Sequence, residues 1–315
     1  MDAKPKILQQ AIQYFSNQET CIQTIASLRW PDGVECPACG HKDHYYLKTQ
    51  RRWKCKECWK QFSVKLGTIF EDSALGLDKW LCAMWLIANC KNGISSYEVA
   101  RDLGITQKSA WFMLHRIRLA MQNGSLVKIG GEGSEVEADE TFIGGKARNM
   151  HLSVKQRRIT GTGGKDKAAV LGLLQRGGEV RTVVVSSRRK GVLHDEVKKH
   201  VAAGTALYTD ALRSYDGLAD YTHKVVDHAT AYVDGRVHTN GLENFWSLLK
   251  RGISGTYISV EPFHLFRYLD EQSFRYNNRK QPLDDSKRFE SVLSQVAGKR
   301  LTYTALTGKE GRAAN

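Results

Sequence analysis

No run of 18 or more apolar residues occurs in this chain of 315, so a membrane-spanning helix is not expected. The first ten residues place Asp2, Lys4 and Lys6 among apolar ones and lack the continuous apolar core of a signal peptide, which predicts a cytoplasmic protein. No internal repeat is present. Acidic side chains are in deficit: 33 Asp and Glu face 47 Lys and Arg, a formal charge of +14 that suits a polyanionic partner. Cysteine is sparse, at seven residues. In a reducing compartment these do not read as a disulfide framework, so any that cluster point to a metal.

The length exceeds that of one ordinary domain and predicts several units. Residues 1–33 read as an N-terminal helical segment closed by Pro31-Asp32-Gly33, and residues 34–70 as a cysteine-rich module with short β-like runs at His44–Leu47 and Gln61–Val64. Residues 71–123 return to helical spacing. Residues 124–134, with four glycines between Asn123 and Ser134, read as a linker. From 135 to 280 strands are expected at Val136–Ile143, Ala168–Leu174, Val180–Ser186 and Ala206–Thr209, with helices over Leu193–Val201 and Leu242–Leu249. That pattern predicts a mixed α/β sheet. Residues 281–315 are polar and are expected to fray.

Cys36-Pro-Ala-Cys39 and Cys55-Lys-Glu-Cys58 form two Cys-x-x-Cys knuckles separated by fifteen residues. Four thiolates at this spacing predict a closed, tetrahedral, structural Zn²⁺ site of the zinc-ribbon kind. A redox pair would come singly. Cys21, Cys82 and Cys90 read as buried apolar fillers.

Ser95-Ser96 can cap a helix ending at Leu103, Gly104 supplies a turn, and Thr106 can cap a second helix from Gln107. This arrangement predicts a helix-turn-helix, with Gln107, Lys108 and Ser109 at the start of the recognition helix facing base edges and Arg116 and Arg118 reaching phosphates. Trp111, Leu114 and Ile117 are expected to face the core.

Acids alternate at Glu135, Glu137 and Asp139, so one face of a strand carries all three while Val136, Ala138 and Glu140 take the other. Leu207-Tyr-Thr-Asp210 is a second strand ending in an acid, and pairing of the two strands would bring Asp139 and Asp210 to one cation. The third acid, Glu243, lies on a helix where Ser247 and Lys250 share its side. Each acid also has a local reading. Asp139 could be a solvated strand acid, Asp210 could cap a helix, and Asn240-x-x-Glu243 is a capping-box pattern. Together, in a basic chain, three carboxylates suit two hard cations and phosphodiester displacement.

The ribbon, the run Glu137-Ala-Asp-Glu-Thr-Phe-Ile-Gly-Gly145, Tyr208-Thr-Asp210 and His238-Thr-Asn-Gly-Leu-Glu-Asn-Phe-Trp-Ser-Leu-Leu-Lys-Arg-Gly252 resemble the DDE transposases of prokaryotic insertion sequences that carry an N-terminal zinc ribbon. The resemblance runs from about Thr24 to about Asn278. It implies an RNase H-like catalytic domain over 135–280 and Mg²⁺-dependent (or Mn²⁺-dependent) cleavage and joining of double-stranded DNA at the ends of a mobile element. A homo-oligomer on DNA and association with the nucleoid are expected. The family's Asp-Asp-Glu or Asp-Asp-Asn set with a following Lys maps onto Asp139, Asp210, Glu243 or Asn240, and Lys250. Glu243 is preferred to Asn240, because a carboxylate neutralises a cation and an amide does not. His228 and His238 can orient ligands or phosphate, or serve as structural donors. Two rivals share these modules: a catalytically silent zinc-ribbon and helix-turn-helix regulator, and a structure-specific nuclease without strand transfer.

Gly144 to Lys167 spans twenty-four residues between two expected strands, far beyond a hairpin loop, and carries seven basic residues against Asp166. Lys155, Arg157 and Arg158 are its expected phosphate contacts, in a loop that orders on DNA.

Overall fold

Helix formation begins where local signals are strongest. In the computed structural model, which describes residues 4–122, 124–145, 150–159, 167–226, 238–279 and 284–308, the chain divides into two compact units. One is Met1–Gln122 with Lys280–Asn315; the other is Asn123–Arg279.

In the first unit, α1 (Leu8–Phe15) and α2 (Gln18–Arg29) meet at Asn17, whose side chain caps α2 by accepting the Glu19 N–H at 2.8 Å. Three short strands follow, β1 (His44–Leu47), β2 (Arg52–Cys55) and β3 (Gln61–Phe62), antiparallel in that order. Aromatic rings stand in for the aliphatic core this module lacks. Trp53 stacks on Phe62 at 5.9 Å between ring centres and meets Trp30 edge-on at 5.6 Å and Tyr46 at 5.2 Å. Then come α3 (Leu77–Asn89), α4 (Ser96–Leu103) and α5 (Gln107–Met121). Ser95 and Glu98 form a reciprocal capping box, Gly104 takes the left-handed conformation at φ 58° that ends α4, and Thr106 caps α5. Helix α5 is not an outer helix, since Met113 to Arg118 are all buried.

The second unit is built on a five-stranded sheet. Its strands, with β4 (Ile129–Gly130) preceding them, are β5 (Glu135–Ile143), β6 (Ala168–Gln175), β7 (Val180–Val185), β9 (Ala206–Asp210) and β10 (Thr222–Val226), and β8 is Val201–Ala202. The order is β10-β9-β5-β6-β7: β5, β6 and β7 run antiparallel as a meander, and β9 and β10 lie parallel to β5. Helix α6 is Leu152–Arg158 and α7 is Lys190–His200; α8 is Asn240–Gly252 and α9 is Leu265–Asn277. Alternation in the strands separates two cores. Val136, Ala138, Leu171, Leu173 and Leu207 face Leu193 and Val197 of α7. Val170, Leu174 and Val180 face Leu242, Phe245, Trp246 and Leu249 of α8 and Leu265 and Leu269 of α9.

Three expectations need correction. The linker 124–134 is partly built in, because Ile129–Gly130 pairs in parallel with Val201–Ala202 and Ile129 enters a core. The long basic loop holds a helix, α6, while its residues 146–149 and 160–166 lie outside the described residues. The C-terminal stretch does not fray over 284–308: α10 (Asp285–Leu293) and α11 (Tyr303–Leu306) return to the first unit. Phe289 packs between Phe15 at 5.4 Å and Trp85 at 5.3 Å, and Val292, Leu293, Val296 and Leu306 are buried. A few apolar residues at helical spacing outweigh the polar average of that stretch. Among the described residues no helix is long and apolar enough to cross a membrane.

Candidate active site and the cysteine cluster

The four knuckle cysteines converge. The Sγ atoms of Cys36, Cys39, Cys55 and Cys58 all lie within 4.8 Å of one another, with Cys36–Cys58 and Cys39–Cys55 contacts of 3.6 Å. Backbone N–H groups of Cys58 and Glu57 hold the Cys55 thiol below its ordinary value, against the opposing pull of burial. Four sulfur atoms converging on one centre fit a closed tetrahedral Zn²⁺ site that supplies folding energy rather than chemistry. Metal analysis of the purified wild-type protein is therefore expected to find zinc, and Cys36→Ser combined with Cys55→Ser is expected to remove it. Zinc retained in the double variant would contradict the assignment.

In the second unit, strand β5 carries the acids as their alternation requires. Extending the register Glu137↔Tyr208 by two residues sets Asp139, midway along β5, beside Asp210 at the end of the neighbouring parallel strand β9. Helix α8 crosses the same strand in the same direction. The Leu242 N–H donates to Glu137 at 3.1 Å, and the Trp246 indole N–H donates to Asp139 Oδ2 at 2.9 Å. Four helical residues advance about 6 Å and two strand residues about 6.6 Å, so the two contacts keep step. Glu243 falls between them on the exposed side of α8, one turn before Trp246, whereas Asn240 lies almost two turns before it.

The electrostatics follow from this placement. Burial pushes the Asp139 carboxyl up to about 6; the Trp246 N–H opposes the rise, and the charges of Asp210 and Glu243 add to it. Glu140, on the other face, is pushed up to about 7, again first by burial, with a hydrogen bond from Tyr215 opposing and Asp210 and Asp139 adding. Tyr215 follows Asp210 closely in the chain, so this bond ties the segment after β9 back to β5. The Asp210 carboxylate itself accepts the Leu212 N–H at 3.1 Å. Asp139, Asp210 and Glu243 are not drawn as close together as the four thiols, as expected of three like charges.

Contacts that composition and spacing do not reveal surround this set. Gly172 is the β6 partner of Asp139, and a Cβ there would meet Trp246 Cζ2 at 2.5 Å. Arg176, in the turn between β6 and β7, reaches Glu137 at 3.0 Å and Glu135 at 3.3 Å. Glu137 is therefore an ion-paired, buried residue and not a third member of an open acidic face.

Of the other expected site residues, Lys250 is exposed near the end of α8, on the side of Glu243. Lys155 and Arg157 are exposed on α6; the Arg158 side chain and His228 lie outside what is described. Lys108 is exposed and lies over the Tyr303 ring at 4.8 Å, Gln107 donates to Ser96 Oγ at 2.9 Å, and the Ser109 N–H donates to Thr106. Arg116 and Arg118 do not reach the surface, which corrects their expected role. The Arg116 guanidinium donates to the Glu71 carbonyl and lies between Trp80 at 5.4 Å and Phe112 at 5.3 Å. Both side chains fall in the run 113–118 of α5, which is buried throughout.

The chain thus carries a four-cysteine module in its first unit and, in its second, a mixed sheet with acids on adjacent strands and on a helix. Residues 129–277 match the ISXO2-like transposase domain, and residues 16–61 match the transposase zinc-ribbon domain. The chain is 29% identical over 261 residues to an uncharacterized protein in transposable element ISH50 of Halobacterium salinarum, covering 77% of this chain and 85% of that one. It is 31% identical over 102 residues to an uncharacterized transposase-like protein of Haemophilus influenzae, covering 32% of this chain and 82% of that one. The chain belongs to the zinc-ribbon-bearing insertion-sequence transposases.

Proposed function

We propose that the second unit is an RNase H-like domain that cleaves and joins DNA at the ends of an insertion sequence, with Asp139, Asp210 and Glu243 as its metal-holding acids. The antiparallel meander followed by two parallel strands, with helices on both faces, supports the fold assignment. The observation that carries the functional reading is the convergence on Asp139: Asp210 by strand register, Glu243 by the helix that Trp246 anchors. A carboxyl held above its usual range by burial and two neighbouring acids suits a divalent cation, which removes the repulsion. Mg²⁺ or Mn²⁺ held there would activate a water or a 3′-hydroxyl and stabilise the leaving oxygen.

The chain's own residues supply the rest. Trp246 orients the Asp139 carboxylate, and Lys250, two turns beyond Glu243 on the same side of α8, neutralises the scissile phosphate. Lys155 and Arg157 on α6, with Arg158, add phosphate contacts. In the first unit, α4 and α5 act as a helix-turn-helix that presents Gln107, Lys108 and Ser109 to base edges, and the zinc ribbon adds basic and aromatic surface. Two element ends must be brought together for joining, so the working species on DNA is a homo-oligomer.

Incubating the protein and Mg²⁺ with a fragment bearing the element's terminal repeats should yield specific 3′ nicks and joined products. Asp139→Ala, Asp210→Ala and Glu243→Ala are each expected to abolish both while leaving end-binding intact. Nicking without joining would indicate a nuclease, and binding alone a regulator. An active Glu243→Ala protein with an inactive Asn240→Ala protein would move the third ligand to Asn240. Lys250→Ala should lower cleavage more than binding.

A further inference from the structure

Glu137 is a carboxylate two residues from Asp139 on the same face of β5, yet its surroundings are unlike those of a ligand. It is 1% exposed. One oxygen accepts from Arg176 Nε at 3.0 Å and stands 3.4 Å from His238 Nδ1; the other accepts the Leu242 N–H at 3.1 Å. That N–H belongs to the first turn of α8, where the helix leaves donors unsatisfied and where its dipole favours a negative charge. Thr239, at the head of α8, makes no side-chain cap. Glu137 caps the helix from another element.

Two features fix this contact. Gly241 permits the approach, because a Cβ there would stand 2.5 Å from Leu174 Cδ2 and 2.7 Å from Glu137 Oε2. Arg176 holds the other side: its Nη2 meets His238 Nδ1 at 3.0 Å and the His238 carbonyl at 2.9 Å, and its guanidinium lies 4.6 Å from the centre of the Tyr208 ring on β9. The residues just before and just inside α8 are thus gripped from β5 and from the β6–β7 turn. Glu243 is the next residue after Leu242.

We propose that Glu137, locked by Arg176, is a positioning residue that sets where Glu243 stands along β5 and so sets the affinity of the acidic set for its cation. The inference rests on the reading of Asp139, Asp210 and Glu243 as the metal-holding acids. It assigns different tasks to acids that look equivalent in the sequence. Asp139 faces the reaction, and Glu137 fixes the helix that completes the site.

The test is Mn²⁺ binding to the zinc-loaded full chain, followed by paramagnetic resonance of the free ion, with no DNA and no turnover required. Glu137→Gln is expected to weaken Mn²⁺ binding by about 10- to 100-fold, the range found when groups behind metal ligands are removed. In a Glu243→Gln background the same change should alter affinity by less than about twofold, because the partner through which it acts is gone. A general loosening of the unit would weaken binding in both backgrounds, and that result overturns the proposal, as does unchanged affinity in a folded Glu137→Gln protein. Should Glu137→Gln fail to fold, Gly241→Ala keeps every charge and displaces the first turn of α8. It is expected to reproduce the loss, and wild-type affinity in that variant overturns the proposal too. Mn²⁺ binding that Asp139→Asn leaves untouched in the wild-type background would instead remove the underlying site assignment.

Discussion

Gly172→Ala should all but silence DNA cleavage while leaving a folded protein. The added Cβ would stand 2.5 Å from Trp246 Cζ2, 2.8 Å from Cη2 and 2.9 Å from Leu242 Cδ2. An indole ring packed in a core cannot yield as the tip of a lysine would, so the strand or α8 must move. Overpacking of this kind costs about 1–3 kcal/mol, which should appear as a lower urea midpoint. The larger effect is on chemistry. The Trp246 N–H that holds Asp139 Oδ2 is carried away with the ring, and α8, which bears Glu243, moves with it. A misplacement of about 1 Å in a reacting constellation is worth roughly 10²-fold in rate. Gly191→Ala, at a position where a Cβ meets nothing within 4 Å, is the control and should cleave normally. Cleavage by Gly172→Ala at the wild-type rate would show that the Trp246 contact does not organise the site.

Gly172 also shows where sequence reading stops. Signals that act within a few residues were legible: Ser95 and Thr106 as caps, Gly104 as the turn, the strand alternation at 135 to 139, and the two cysteine knuckles. Each depends on local geometry that the residue type itself dictates. That Glu137 is taken up by an ion pair and by the first turn of a helix was not legible, because its partners Arg176 and Leu242 are brought to it only by the sheet and by α8. The same holds for Arg116, whose burial is decided by Trp80 and Phe112. Helix α9 escaped a reading by apolar period because it buries Arg267, Glu271 and Gln272 beside Leu265 and Leu269. Strand β10 is short, at an edge, and carries exposed Lys224 and Val225. The return of 284–308 to the first unit depends on Phe289 finding Phe15 and Trp85, a pairing of residues from opposite ends of the chain.

Asp139→Asn should make the metal-free protein more stable at pH 7.5 and abolish cleavage. The folded-state value for Asp139 is about 6, raised by burial and by the charges of Asp210 and Glu243, against 3.8 for the free side chain. Between those values the folded protein binds a proton that the unfolded chain does not, so stability falls as pH rises through the window. The penalty is complete above about pH 6 and absent below about pH 4. A shift of this size corresponds to roughly 2–4 kcal/mol. Asparagine keeps the shape and can still accept the Trp246 N–H, but carries no charge to desolvate. Urea unfolding should therefore show Asp139→Asn above wild type at pH 7.5, with the difference closing as pH is lowered towards 4. Saturating Mg²⁺ should close the gap from the other side, because a cation that binds only the folded, ionised site stabilises wild type and not the variant. Equal stabilities at pH 7.5 without metal would mean that Asp139 ionises in the fold at no cost, and that the acids are not held in the mutual repulsion on which the cation site depends.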